Sequence, residues 1–138
     1  MMPNPYQQYQ TTQVQTANTG ELIVLLYDGA VRFLTRARLA VEEGRLDSAS
    51  ADLVRGQEII LELVAGLDYE RGGDLAANLG GLYRFMYETL LQANLKKDTD
   101  KINAVIRLLD GIRDAWRTVV KGAPGVATPS RLERVCAA

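Results

Sequence analysis

The chain has 138 residues, 47% hydrophobic and 24% charged, which is the composition of one ordinary globular domain. Its formal net charge of −1 argues against nucleic acid as the main partner, because phosphate binding needs a basic surplus or stripe. The sequence contains no histidine, which excludes Ser–His–Asp triads, His-ligated zinc sites and the di-iron sites of helical bundles. We therefore predict no catalytic residue, no metal site and no cofactor; an enzyme that uses lysine or paired carboxylates is the least favoured alternative.

Residues 1–18 predict an extended or mobile N-terminal arm, because they carry no charge, have no regular apolar period and contain Pro3 and Pro5. The arm lacks the basic and apolar regions of a secretory signal peptide. No apolar run in the chain approaches the ~20 residues of a membrane span, and the only cysteine is Cys136. We expect a cytosolic protein without a membrane span. The aromatic rings of Tyr6 and Tyr9 are candidates to dock on the rest of the protein.

Helical periodicity over residues 19–122 predicts four helices. The first has Thr19 as its N-cap and Gly44 beyond its end. Its predicted core face repeats every three or four positions: Leu22, Leu26, Ala30, Phe33, Ala37 and Val41.

The later helices are separated by short polar links. The second is predicted from an N-cap at Asp47, and the third from about Asp74, after a turn that ends in two glycines. Asp98 or Thr99 is expected to cap the fourth, which ends at Lys121. Because short links force neighbouring helices to run antiparallel, we predict an all-α, up-down-up-down four-helix bundle over residues 19–122. Residues 123–138 are expected to form a flexible tail with at most one short helix.

The second and third helices carry more apolar residues than one bundle seam needs. The surplus either widens the core or forms an exposed strip that binds a partner. Under the second interpretation, the partner-binding groove consists of Ile59, Leu63, Tyr83, Tyr87 and Leu91. Glycines within the helices, among them Gly80 and Gly81, indicate either close helix packing or room for a guest backbone.

Two motifs carry a specific resemblance: Asn4-Pro5-Tyr6-Gln7-Gln8-Tyr9 in the arm, and Leu26-Tyr27-Asp28-Gly29-Ala30 in the first helix. Matching stretches continue at 57–63 and 73–79. From residue 4 to about residue 120, the sequence resembles the flagellar secretion chaperone FliS family.

This resemblance implies a cytosolic, non-enzymatic helical bundle that binds the C-terminal segment of flagellin. Such a chaperone prevents premature polymerisation and assists flagellar secretion and assembly. By the same resemblance, Pro5, Tyr6 and Tyr9 would form a lid that packs on the bundle when no flagellin is bound. Other flagellar export or regulatory proteins stay open as partners. The alternative function is a self-associating helical scaffold or regulatory bundle without a flagellin client, and we expect a monomer or a weak homodimer.

Overall fold

The computed structural model describes residues 19–120, which form four α-helices. In chain order they are α1 (Thr19–Glu42), α2 (Leu46–Ala65), α3 (Tyr69–Lys96) and α4 (Thr99–Val120). The predicted N-terminal arm and C-terminal tail lie outside the described residues, and so does the predicted lid of Pro5, Tyr6 and Tyr9. None of these four helices is both long and apolar enough to cross a membrane.

Each helix packs against two neighbours, in the cyclic order α1, α2, α3, α4. Cross-helix hydrogen bonds give the relative directions. Arg38 of α1 donates to Asn103 of α4 at 2.9 Å, whereas Asp28, further back on α1, accepts from Arg113, further forward on α4, at 3.2 Å. Hence α1 and α4 are antiparallel. The predicted all-α four-helix bundle is confirmed.

Helix ends differ from the predictions at α2 and α3. Gly44 does end α1, with a φ of +77°. However, the Arg45 N–H already bonds the Ala40 carbonyl at 2.8 Å, so the link is tight and α2 begins at Leu46. Arg45 therefore stands at the N-cap position, where its side chain forms no capping hydrogen bond, and the predicted cap at Asp47 is wrong.

The third helix begins earlier than predicted. Asp68 caps α3 by accepting the Arg71 N–H at 3.0 Å, so the helix starts at Tyr69 and not near Asp74. At the position of the predicted turn, α3 is interrupted by a break. Gly73 has φ 51° and ψ −127° there, a conformation that residues with a Cβ avoid. At α4, the predicted cap is confirmed, because the Asp98 carboxylate accepts the Asp100 and Lys101 N–H groups.

The buried face of α1 coincides with the predicted one only in part: Ala30 and Ala37 are completely buried as predicted, but the other buried positions are shifted by one residue. Tyr27 and Leu34 are completely buried and Ile23 is nearly so, whereas Leu22 and Phe33 are only half-buried. Contacts from other helices select this face. The Tyr27 hydroxyl contacts the Tyr83 hydroxyl of α3 across the core, and Leu34 packs against Gly56 of α2.

Candidate functional site

An apolar groove of about 330 Å³ lies between α1 and α2. Its size falls in the range of binding clefts in proteins, roughly 300–1,000 Å³. Apolar side chains and one glycine make up most of its lining: Leu22, Leu25, Leu26, Gly29, Phe33 and Ile59. Four charged residues complete the lining: Asp28, Arg32, Arg55 and Glu58. Such a surface suits the apolar face of a helix or extended segment with polar groups along its edges.

The groove follows from how α1 packs on α2. A Cβ at Gly56 would lie only 2.6 Å from Leu34 Cδ2, so the absence of a side chain there allows the two helices their close approach. A Cβ at Gly29 would likewise lie 3.2 Å from Cδ1 of Ile59. Since Leu34 faces the core, Leu22 and Phe33 are directed to the side of the bundle and line the groove.

One charge at the edge of the groove is already neutralised by α4. Asp28 Oδ1 lies 3.2 Å from Arg113 Nη1 and 2.9 Å from Arg117 Nη2. Arg113 is also paired with Asp110 at 2.7 Å and is only 18% exposed. The network joins α1 to α4 and neutralises the charge of Asp28 within the bundle.

The two arginines of the groove are not neutralised in this way. Neither Arg32 nor Arg55 forms an ion pair with any residue in the range 19–120. The Arg32 guanidinium lies 5.6 Å from the centroid of the Phe33 ring, a cation–π contact at the edge of the apolar lining. Arg36, one turn further along α1, has the same distance to that ring but pairs with Asp52 at 3.7 Å.

Two further cavities over residues 19–120 are lined by more polar than apolar residues. One of about 450 Å³ lies between α3 and α4, and its only apolar lining residues are Phe85 and Ala104. The other, about 270 Å³, is lined chiefly by arginine, serine and aspartate. The α1–α2 groove has five apolar side chains in its lining, against two in each of these cavities, and is therefore the candidate docking site. Within the described part of the chain, no three aspartate, glutamate or cysteine side chains converge on a possible metal position.

The structure does not bring the five predicted groove residues together on one exposed strip. Leu63 and Tyr83 belong to the core, with 4% and 0% of their surface exposed. Tyr87 is half-buried and Leu91 is 47% exposed. Ile59 lines the α1–α2 groove but is only 4% exposed. The surplus on α2 and α3 therefore mostly widens the core. Partner binding by these residues stays a prediction.

The two alternatives for Gly80 and Gly81, close packing or room for a guest backbone, are distinguished at Gly80 only. A Cβ at Gly80 would lie 2.7 Å from the Tyr69 hydroxyl, because the first turn of α3 folds back over this position. Gly81 faces open space. Close packing thus accounts for Gly80, and neither glycine lines any of the three cavities described above.

The sequence analysis did not predict the half-buried apolar surface of α1 that lines the groove. The signal was present in the run of residues 22–27, in which six consecutive apolar side chains cover the whole circumference of the helix. A bundle helix buries only one face against its neighbours, so part of such a run has to remain at the surface. Arg32 and Arg55 carried no distinguishing signal, because the arginines are scattered along all four helices.

Comparisons with known proteins agree on one family. The sequence model of the family described as "Flagellar protein FliS" matches residues 2–123. The chain is 37% identical over 118 residues to the flagellar secretion chaperone FliS of Bacillus subtilis, covering 86% of this chain and 87% of the relative. It is 43% identical over 107 residues to the flagellar secretion chaperone FliS of Salmonella typhimurium, covering 77% and 79%. The corresponding Campylobacter jejuni chaperone is 37% identical over 114 residues, covering 83% and 89%.

Proposed function

The chain belongs to the FliS family of flagellar secretion chaperones, and on that basis we propose that it binds the C-terminal segment of flagellin in the cytoplasm. Bound in this way, the segment is unavailable for polymerisation until flagellin is exported. The protein acts by binding and carries out no chemical step. The observation that carries the proposal is the apolar groove between α1 and α2 on a bundle of this family.

The groove suits a client that orders on binding. An amphipathic segment gains apolar burial against Leu25, Leu26 and Phe33 and keeps its polar side toward the charged edges. Ordering the segment opposes binding by about 2–5 kcal/mol, which keeps the complex releasable. A releasable complex is what a secretion chaperone requires, because the client has to leave before export is complete.

We also propose that the N-terminal arm covers this groove in the free protein. The arm joins α1 at Thr19, and Leu22 in the first turn of that helix already lines the groove. Pro5, Tyr6 and Tyr9 would supply apolar contacts without introducing charge. The arm and the client would then compete for one surface.

Size-exclusion chromatography with light scattering tests the proposed function. The chaperone is mixed with flagellin of the same bacterium, or with flagellin that lacks its C-terminal segment. We expect a soluble one-to-one complex with the complete flagellin and none with the truncated protein. Titration calorimetry with the segment alone should show a negative heat-capacity change, the signature of apolar burial. Unaltered elution of both proteins would refute flagellin binding, and a chaperone dimer that persists in their presence would favour the scaffold alternative.

A further inference from the structure

Beyond its apolar lining, the groove carries an unbalanced charge. Arg32 on α1 and Arg55 on α2 line the same cavity from opposite helices. Of the two acidic residues there, Asp28 is committed to Arg113 and Arg117. Glu58 is then the only acidic residue of the groove lining that forms no ion pair within residues 19–120. Two arginines of the lining, Arg32 and Arg55, also form none there, so positive charge is in excess.

We infer that Arg32 and Arg55 recognise a carboxylate side chain of the client, which lies between them when the apolar face of the client occupies the groove. An anionic group placed there gains charge-assisted hydrogen bonds from both guanidinium groups. Its partners are already oriented in part, because Arg32 rests on the Phe33 ring at 5.6 Å. The inference rests on the proposed function and specifies which chemistry the client must present.

The same two arginines distinguish the client from the arm of the chain itself. Residues 1–18 contain no charged side chain, so an arm that covers the groove as proposed would supply no carboxylate for the two arginines. A client with an aspartate or glutamate at the matching position gains a contact that the arm lacks. The pair therefore gives the client an advantage in competition for the groove, and that advantage is largest at low ionic strength.

The chain offers a matched control in Arg36. It is an exposed arginine on α1 with the same 5.6 Å distance to the Phe33 ring as Arg32, but it is paired with Asp52 and does not line the groove. Arg36→Gln removes the same charge from the same helix. It leaves the two arginines of the groove in place.

The test measures the Kd of a fluorescently labelled peptide of the flagellin C-terminal segment for the full-length chain, at low and moderate salt. The variants are Arg32→Gln, Arg55→Gln, both together, and Arg36→Gln. We expect each groove substitution to raise Kd about threefold and the pair about tenfold, with a weaker dependence on salt. The Arg36→Gln variant should stay within about twofold of the wild type.

A second series changes the peptide. Each aspartate or glutamate of the segment is replaced by its amide, one at a time. One of these peptides should bind the wild type about tenfold more weakly than the unmodified peptide does. The Arg32→Gln/Arg55→Gln variant should bind the two peptides equally, because the interaction is already absent in that variant.

Equal Kd values and salt dependence for the wild type and the double variant would overturn the inference while leaving flagellin binding intact. A loss in Arg36→Gln as large as in the double variant would also overturn it, because the effect would then be general surface charge. Failure of the wild type to bind the segment at all would remove the proposed function together with the inference.

Discussion

We expect replacement of glycine by alanine to have opposite effects on stability at Gly56 and at Gly81, which lie in the interiors of two neighbouring helices. Replacing a helical glycine by alanine favours the helix by about 0.8–1 kcal/mol when nothing else changes. At Gly81 a new Cβ meets no atom within 4 Å, so Gly81→Ala should realise the whole gain. In a domain of this size that corresponds to a rise in Tm of about 4 °C.

At Gly56 the same gain is outweighed by a clash. The new Cβ would lie 2.6 Å from Leu34 Cδ2 and 3.1 Å from Cγ, against a comfortable carbon–carbon separation of about 3.5–4.0 Å. Leu34 has no exposed surface, so its side chain cannot turn outward into solvent without leaving the core. Overpacking of a core costs about 1–3 kcal/mol, so Gly56→Ala should lower the free energy of unfolding by about 1 kcal/mol net.

Urea unfolding of both variants, followed by circular dichroism at 222 nm, measures the difference. Both substitutions restrict the unfolded chain equally, so their difference isolates the contact in the folded state. We expect Gly81→Ala to be more stable than Gly56→Ala by about 2 kcal/mol. Equal stability of the two variants would refute the close approach of α1 and α2 at Gly56, and with it the described origin of the groove.

Three further perturbations have defined outcomes. Gly73→Ala places a Cβ at a φ of +51° and should cost about 1–2 kcal/mol of unfolding free energy, in contrast to the gain at Gly81; a gain in thermal unfolding would contradict the break in α3. Asp28→Asn weakens the ion pairs to two arginines of α4 and should cost about 1 kcal/mol in urea unfolding at low salt, and less at high salt; no salt-dependent difference from the wild type would refute the network. Tyr6→Ala combined with Tyr9→Ala should leave the unfolding midpoint of the bundle nearly unchanged but speed amide exchange in the arm and tighten binding of the flagellin segment; equal exchange and affinity in both proteins would rule out the lid.

The number, order and type of the helices could be predicted from the sequence, because helical periodicity and capping are local properties. The α4 cap at Asp98 is such a case, since the carboxylate bonds the N–H groups of residues two and three positions later. The earlier start of α3 was missed because Asp68 competes with Gly73 as a boundary. In the structure, Asp68 is the N-cap of α3 and Gly73 forms the break within the helix.

The buried face of α1 could not be predicted in the same way. Its first turns are apolar on every side, so periodicity fits more than one orientation. The choice depends on partners distant in sequence: Tyr83 for Tyr27, and Gly56 for Leu34. The groove depends on that choice, since the side chains not selected for the core become its lining. For this reason the sequence did not predict that half-buried side chains of α1, such as Leu22 and Phe33, line the groove.

Photo-crosslinking tests whether the client lies in the groove between α1 and α2, as we propose. p-Benzoyl-phenylalanine is introduced in place of Leu25, which lines the groove, or in place of Phe85, a 56% exposed side chain on α3, as a reference for non-specific reaction. Each full-length protein is irradiated in the presence of flagellin. We expect a high yield of crosslinks to the C-terminal segment of flagellin from position 25, and a much lower yield from position 85. A complex that forms normally but gives no crosslink from position 25 would contradict it.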